Sequence, residues 1–245
     1  MLKINNLSKC YHDKNSEILA LDNINLNINK NEWISIVGPS GCGKTTLLSI
    51  LSGLEKESNG TIQKDKNIKI GYMLQKDALF PWRTVLENCL IGLEINNILN
   101  TDNKKRVIDL LNTYGLSEFI NKYPDSLSGG MRQRVALIRT LATNPDLILL
   151  DEPFSSLDYQ TRLILSDDIY NIIKKENKTV ILVTHDIAEA ISLSDRVIVL
   201  TKRPATIKNI YDIKLSNKSI PSVNRKSKEF YDYYDKIWSD LDVHI

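Results

Sequence analysis

Residues 33–52 read Trp33-Ile34-Ser35-Ile36-Val37-Gly38-Pro39-Ser40-Gly41-Cys42-Gly43-Lys44-Thr45-Thr46-Leu47-Leu48-Ser49-Ile50-Leu51-Ser52. The near-continuous apolar run 33–37, ending at Gly38, is the profile of a parallel strand buried on both faces and feeding a turn. Residues 44–52 follow as a helix with Leu47, Leu48 and Leu51 on one face. Between them, Gly38-Pro39-Ser40-Gly41-Cys42-Gly43-Lys44-Thr45-Thr46 contains G-x-x-x-x-G-K-[ST] in the strand–loop–helix context that gives the motif meaning. Its glycines let backbone N–H groups close around a phosphate chain, and the helix adds its positive end. Lys44 is then expected to neutralise the β and γ phosphates and Thr45 to ligate Mg²⁺. Cys42 is small enough for such a loop. The loop alone leaves small kinases, GTPases and RecA-like motors open.

Further strands read at Leu2/Ile4, at Ile24/Leu26/Ile28 and, as one or two short runs, between Ile62 and Met73. Val85 to Phe119 turns helical, with breaks near Asn96-Asn97 and Asn100. Met131 to Ala142 is a strong helix. Leu147–Asp151 and Thr179–Thr184 are two more continuous buried strands, with helices at Tyr159–Lys175 and Ile187–Leu193 and a strand at Val197–Leu200. Strands alternating with helices predict an α/β fold around a mostly parallel sheet, into which residues 85–140 insert a helical lobe. Residues 202–245 are polar with late aromatics, among them Phe230, Tyr231, Tyr233, Tyr234 and Trp238.

Leu147 to Leu150 carry Asp151-Glu152 out at the carboxyl edge of the sheet, where open α/β sheets bind ligands. Two carboxylates directly behind four apolar residues are costly without a cation. Asp151 is therefore expected to hold Mg²⁺ and Glu152 to act as general base on water.

Leu127-Ser128-Gly129-Gly130-Met131-Arg132-Gln133-Arg134 is a second anion-binding pattern, a serine N-cap with two glycines exposing N–H groups at a helix start. One phosphate loop does not need two such sites; two chains packed head-to-tail do. At this point the sequence closely resembles the ABC ATPase family, from about residue 2 to residue 210. The resemblance implies a P-loop NTPase core with an N-terminal antiparallel β subdomain, an inserted helical subdomain and an extension over 211–245. It also implies that Ser128, Gly129 and Gly130 of one copy contact ATP held by another. Tyr11 lies where the family stacks an aromatic on adenine. Gln75, in Met73-Leu74-Gln75-Lys76-Asp77, matches the glutamine that senses Mg²⁺ and γ-phosphate. Ser156-Leu157-Asp158 matches the dimer-contact loop, and His185 the histidine that hydrogen-bonds γ-phosphate. Where the family usually has Gly before the glutamate opening the phosphate-loop strand, this chain has Asn31-Glu32; asparagine tolerates the left-handed turn.

Leu79-Phe80-Pro81-Trp82-Arg83-Thr84-Val85-Leu86-Glu87-Asn88 is similar to importers of the nitrate, sulfonate and taurine class. So are Leu200-Thr201-Lys202-Arg203-Pro204 and Ile237-Trp238-Ser239-Asp240-Leu241, with Ala205 in place of a usual Gly. This class implies transmembrane permease subunits docked around Phe80, Pro81, Trp82 and Arg83, an extracellular solute-binding protein, and a place on the cytoplasmic face of the membrane. Importers of thiamine precursors share these features. A non-transport ABC ATPase is the alternative. The chromosome-maintenance kind inserts a long coiled coil between phosphate loop and signature, here only about 85 residues apart (Gly43 to Ser128) and without heptads.

Composition is consistent with this reading. Lys+Arg 32 against Asp+Glu 30 give net +2, so no global field argues for nucleic acid. No apolar run approaches the roughly 20 residues of a membrane span. The three cysteines Cys10, Cys42 and Cys89 form no C-x-x-C pair and suggest a reducing compartment.

Overall fold

Period-two alternation within the buried strands sorts the core into faces. In a computed structural model describing residues 1–13, 16–155 and 157–241, the strands are β1 (Leu2–Asp13), β2 (Ser16–Ile28), β3 (Trp33–Val37), β4 (Asn59–Lys64), β5 (Ile70–Met73), β6 (Leu147–Asp151), β7 (Thr179–Val183), β8 (Arg196–Leu200) and β9 (Ile207–Asp212). A six-stranded sheet runs β5-β6-β7-β3-β8-β9, parallel throughout except for β9. A separate antiparallel sheet runs β2-β1-β4. The helices are α1 (Lys44–Ser52), α2 (Val85–Ile95), α3 (Thr101–Thr113), α4 (Gly129–Ala142), α5 (Tyr159–Lys175), α6 (Ile187–Leu193), α7 (Pro221–Asn224) and α8 (Glu229–Asp240).

On one face of the large sheet, Ile34, Ile36, Leu147, Leu149, Ile181, Val183, Ile198 and Leu200 pack with α1 and the antiparallel sheet. On the other, Ile148, Leu150, Val180 and Leu182 pack with α2 to α5. Val197 and Val199, on that second face, meet α6 and the C-terminal segment through Ile187, Ile191, Phe230 and Ile237. Each residue of β3, β6 and β7 therefore buries its side chain whichever way it points, which is why these runs are continuous rather than alternating.

The expected helices at 44–52, 159–175 and 187–193 fall on α1, α5 and α6. The run from Ile62 to Met73 divides between sheets: β4 pairs antiparallel with β1, while β5 is the edge of the parallel sheet beside β6. The helical stretch from Val85 is two helices, interrupted where expected, and Asn100 caps the second by accepting from the Asn103 amide. Asn31 takes φ 59°, the left-handed turn expected of it, and its N–H donates to Thr179 Oγ1 at 2.9 Å. The following Glu32 carboxylate accepts from Arg196 Nε at 2.5 Å and from the Asn29 amide at 2.8 Å, locking the turn onto β8.

Residues beyond 200 carry structure that composition did not reveal. β9 is a polar-looking strand because it is the sheet edge, half covered at most. α8 buries Phe230 and Ile237 against α6 and β9 of the parallel-sheet body, not against the helical lobe. Among the described residues, no helix is long and apolar enough to cross a membrane.

Candidate active site

Four neighbouring parallel strands deliver the candidate residues. β3 ends in the Gly38–Gly43 loop, β5 runs into Gln75, β6 ends at Asp151-Glu152, and β7 runs into Thr184-His185; the order β5-β6-β7-β3 sets these four ends side by side. That is the carboxyl edge where a parallel sheet places its ligands.

The loop needs its glycines for shape. Gly43 sits at φ 129°, and a Cβ there would come 2.9 Å from Leu21 Cδ2 and 3.0 Å from Ala20 O. Gly41 is at φ 69°, and a Cβ on Gly38 would meet Cys42 Sγ at 2.9 Å. Cys42 is buried inside the loop, and burial pushes its thiol up from the ordinary range. Lys44 is folded back, donating from Nζ to Gly38 O at 2.8 Å and Pro39 O at 3.0 Å. Helix α1 starts at Gly43 with no side-chain cap, whereas Thr84, Asn100, Ser128, Asp158 and Asp186 cap α2 to α6. Its first N–H groups are left for an anion, and lysine and helix end together suit a polyphosphate.

Thr45 Oγ1 donates to Asp151 Oδ1 at 3.3 Å, and the Tyr72 hydroxyl donates to Asp151 Oδ2 at 3.2 Å. Asp151 is buried; its pKa is raised, by burial first, with Glu152 adding to the effect and the Thr45 and Tyr72 hydrogen bonds and Lys44 opposing it. Tyr72 is pushed up to about 12 by burial and by the Asp151 charge. A hydroxyl against a desolvated carboxylate is a donor set that fits Mg²⁺, a hard cation taking oxygen ligands.

Glu152 follows at φ 45°, a backbone conformation rare for glutamate, held by its N–H donating to Val183 O at 2.9 Å. This turn aims one carboxylate oxygen, Oε2, at two partners. Gln75 Nε2 donates to it at 3.3 Å, and His185 Nδ1 lies 3.1 Å away. Gln75 and His185 are exposed, so the three side chains form an open polar cluster above the buried Asp151.

Tyr11, on β1, is brought to the start of α1: its hydroxyl donates to Glu55 Oε2 at 2.7 Å and lies 3.4 Å from Thr46 Oγ1. Ser128 and Asp158 are not brought to this cluster. They cap α4 and α5 at exposed helix starts that touch each other, where a Cβ on Gly129 would meet Leu157 at 3.2 Å and one on Gly130 would meet Thr161 at 3.2 Å. Among the described residues, no hydrogen bond or ion pair joins Ser128, Gly129, Gly130 or Asp158 to Lys44, Thr45, Asp151 or Glu152. Ser156 lies outside the described residues. Phe80 is half-buried and tilts against Trp82 at a ring-centroid distance of 5.1 Å, while Trp82 is 70% exposed; Pro81 is exposed, and Arg83 pairs with Glu94 at 2.7 Å.

Sequence reasoning missed several supporting groups. Tyr72 is one. Arg203, read above only within the Leu200–Pro204 run, braces the phosphate loop by donating from Nη2 to Gly41 O at 2.8 Å. Arg139 donates to Asp77 O at 2.6 Å and Ala78 O at 2.7 Å, holding the segment after Gln75. Buried Asn88 gathers the backbone of residues 80–84. Each acts on a backbone atom or a partner distant in sequence, so none leaves a local motif.

A phosphate loop on a parallel sheet, a desolvated carboxylate beside the loop threonine and a glutamate–glutamine–histidine cluster define a nucleotide-hydrolysing P-loop ATPase. The chain belongs to the ABC transporter family, whose model matches residues 21–155. Its activity is ATP hydrolysis, which this family couples to transport. It is 44% identical, over 98% of its length and 95% of the relative's, to an uncharacterized ABC transporter ATP-binding protein, YtlC, of Bacillus subtilis (strain 168). It is 37% identical to the nitrate import ATP-binding protein NrtD of Synechocystis sp. (98% and 94% covered) and 35% identical to the aliphatic sulfonates import ATP-binding protein SsuB of Bacillus cereus (98% and 99% covered). Among solved structures, a dimeric post-hydrolysis state of the ATP-binding cassette MJ0796 bound to ADP and Pi matches with TM-score 0.74 and 33% identity, covering 87% of this chain and 99% of that one.

Proposed function

We propose that this chain is the ATP-hydrolysing subunit of an importer, working in pairs and driving a small solute, an anion of the nitrate, sulfonate or taurine kind, through membrane-embedded permease subunits. The single observation that carries the hydrolytic role is Glu152, whose one carboxylate oxygen meets both Gln75 and His185 directly beyond the buried Asp151. Residues Gly38 to Thr46 and Lys44 hold the phosphates, and Tyr11 supports the adenine. Mg²⁺, held by Thr45, Asp151 and Gln75, would neutralise charge on the β and γ oxygens. Glu152 takes the proton of the attacking water, and His185 hydrogen-bonds the γ-phosphate.

The exposed starts of α4 and α5, which among the described residues share no hydrogen bond or ion pair with their own chain's phosphate-loop Lys44 and Thr45, support a role in trans. Ser128, Gly129, Gly130 and Asp158 of one copy close over ATP on the other. The dimeric state of the similar cassette agrees with this. ATP thereby favours the closed pair over the open one, the differential affinity that any ligand-driven switch requires. Exposed Trp82 with Phe80, Pro81 and Arg83 forms the patch that receives the permease, since aromatics supply contact area at interfaces. The catalytic cassette spans about 1–210, with its helical subdomain at about 85–140, and 211–245 is an extension. The complex sits on the cytoplasmic face of the membrane with an extracellular solute-binding protein opposite. The anion class rests on the nitrate and sulfonate import relatives.

Size exclusion of Glu152→Gln with and without ATP and Mg²⁺ tests the shared site. The expected outcome is a shift to dimer with ATP only. A variant that stays monomeric and hydrolyses ATP at the wild-type rate removes both the general base and the trans arrangement.

A further inference from the structure

The β1–β2 hairpin brings together a thiol, an imidazole and a carboxylate that have no part in the ATP site described above. Cys10, His12 and Glu17 each offer a ligand atom, and these atoms lie within 4.8 Å of one another. The arrangement follows from strand geometry. Cys10 and His12 are two residues apart on β1 and so share a face, and His12 pairs directly across the ladder with Glu17. His12 Nδ1 is already 3.1 Å from Glu17 Oε1.

We propose that these three residues form a binding site for a borderline divalent transition metal, Zn²⁺ before others. Thiolate with imidazole selects zinc over the hard cations Mg²⁺ and Ca²⁺, and three protein ligands leave a fourth tetrahedral position to water. Ligand atoms on one tetrahedral Zn²⁺ stand about 3.3–3.7 Å apart, so closure requires a side-chain shift of roughly an ångström. His12 and Glu17 have that freedom, their side chains being 67% and 74% exposed. One thiolate and one carboxylate balance the ion's two charges. Among the described residues, Lys9 does not compete for Glu17, because its Nζ is engaged by Glu55 at 3.3 Å and Lys56 O at 2.8 Å. Nor do the other thiols offer themselves: Cys42 is buried in the phosphate loop, and Cys89 is wholly buried with its thiol pushed up to about 12. The bound ion would staple β1 to β2 on either side of Tyr11 in sequence.

Metal-free full-length protein is titrated with Zn²⁺ against a chromophoric chelator, and separately with Co²⁺ to record thiolate-to-metal charge-transfer absorption. The expected result is one equivalent bound, weakened at least about tenfold by each of Cys10→Ser, His12→Ala and Glu17→Gln, since even outer-shell changes cost about 10–100-fold. Cys10→Ser abolishes the Co²⁺ charge-transfer band. His185→Ala, which removes the other described histidine beside a carboxylate, leaves the affinity unchanged. Binding that is unaltered in the Cys10→Ser/His12→Ala double variant overturns the site, as does a charge-transfer band surviving Cys10→Ser. So does weak, thiol-independent binding, the mark of an adventitious ion on surface carboxylates.

Discussion

Two residues at the carboxyl edge of the parallel sheet hold positive-φ backbone conformations, Glu152 at a cost in energy and Gly43 without one. Glu152 at φ 45° is strained for a glutamate, by roughly 1–3 kcal/mol, and strain of this kind persists where the surroundings over-determine it. Here the Glu152 N–H bond to Val183 and the bonds from Ser155 to Glu152 O supply that constraint. Gly43 solves the opposite problem, adopting φ 129° because no side chain is present. Gly43→Ala is therefore expected to cost about 2 kcal/mol, lowering Tm by about 4–8 °C for a chain of this size. Nucleotide affinity should fall at least about tenfold, because the displaced N–H groups are the ones aimed at phosphate. Calorimetric titration with ATP and a thermal melt read the two effects; an alanine variant with unchanged affinity removes the close-approach argument.

At the scale of elements, the segment between β5 and α2 is long, aromatic and lacks regular structure, yet it is tied down. Asn88, wholly buried on α2, accepts from the Phe80 amide at 2.7 Å and donates to Phe80 O, Arg83 O and Thr84 O at 3.0–3.1 Å. Thr84 and Glu87 close a capping box at the same helix start. The local peptide thus closes on itself and leaves Trp82 outward. Asn88→Ala strands one N–H and weakens three carbonyls, with an expected loss of about 2–3 kcal/mol of stability. Hydrogen exchange at the Phe80 amide should accelerate well before that of β6. Equal protection in the variant would mean the loop is held by its aromatics instead.

On the scale of the whole molecule, a buried acid cluster links the strand carrying His185 to the C-terminal extension. Glu189 is 3% exposed and accepts from Thr184 Oγ1 at 2.7 Å; Arg162 Nε stands 3.6 Å away. Its pKa is raised to about 7, by burial first and then by Asp186, against Thr184, Arg162 and Arg225. Asn224 ties α7 to α6 by donating to Ser192 O at 2.7 Å. A carboxyl raised on folding favours the folded state while protonated. Its contribution is complete below the ordinary glutamate pKa and is lost as pH climbs through about 7. Wild type should therefore lose stability relative to Glu189→Gln between about pH 4.5 and pH 7, by an amount on the order of 3 kcal/mol. Denaturant unfolding of both across that range decides it, and parallel curves would show that Glu189 does not titrate there.

The strands with continuous apolar runs, the helix after the phosphate loop, the cap Ser128 and the order of the motifs were all legible in the sequence. Each is decided by neighbours within a few residues, through side-chain period, backbone freedom or a local hydrogen bond. What only the tertiary structure decided are pairings between distant segments. The split of 62–73 between two sheets, the edge strand β9, and α8 lying on α6 rather than on the helical lobe leave no local trace. The same holds for two supports of the site, Tyr72 reaching Asp151 and Arg203 reaching Gly41. A polar side chain is indifferent to its partner's distance in sequence, so its partner becomes known only when the chain has folded.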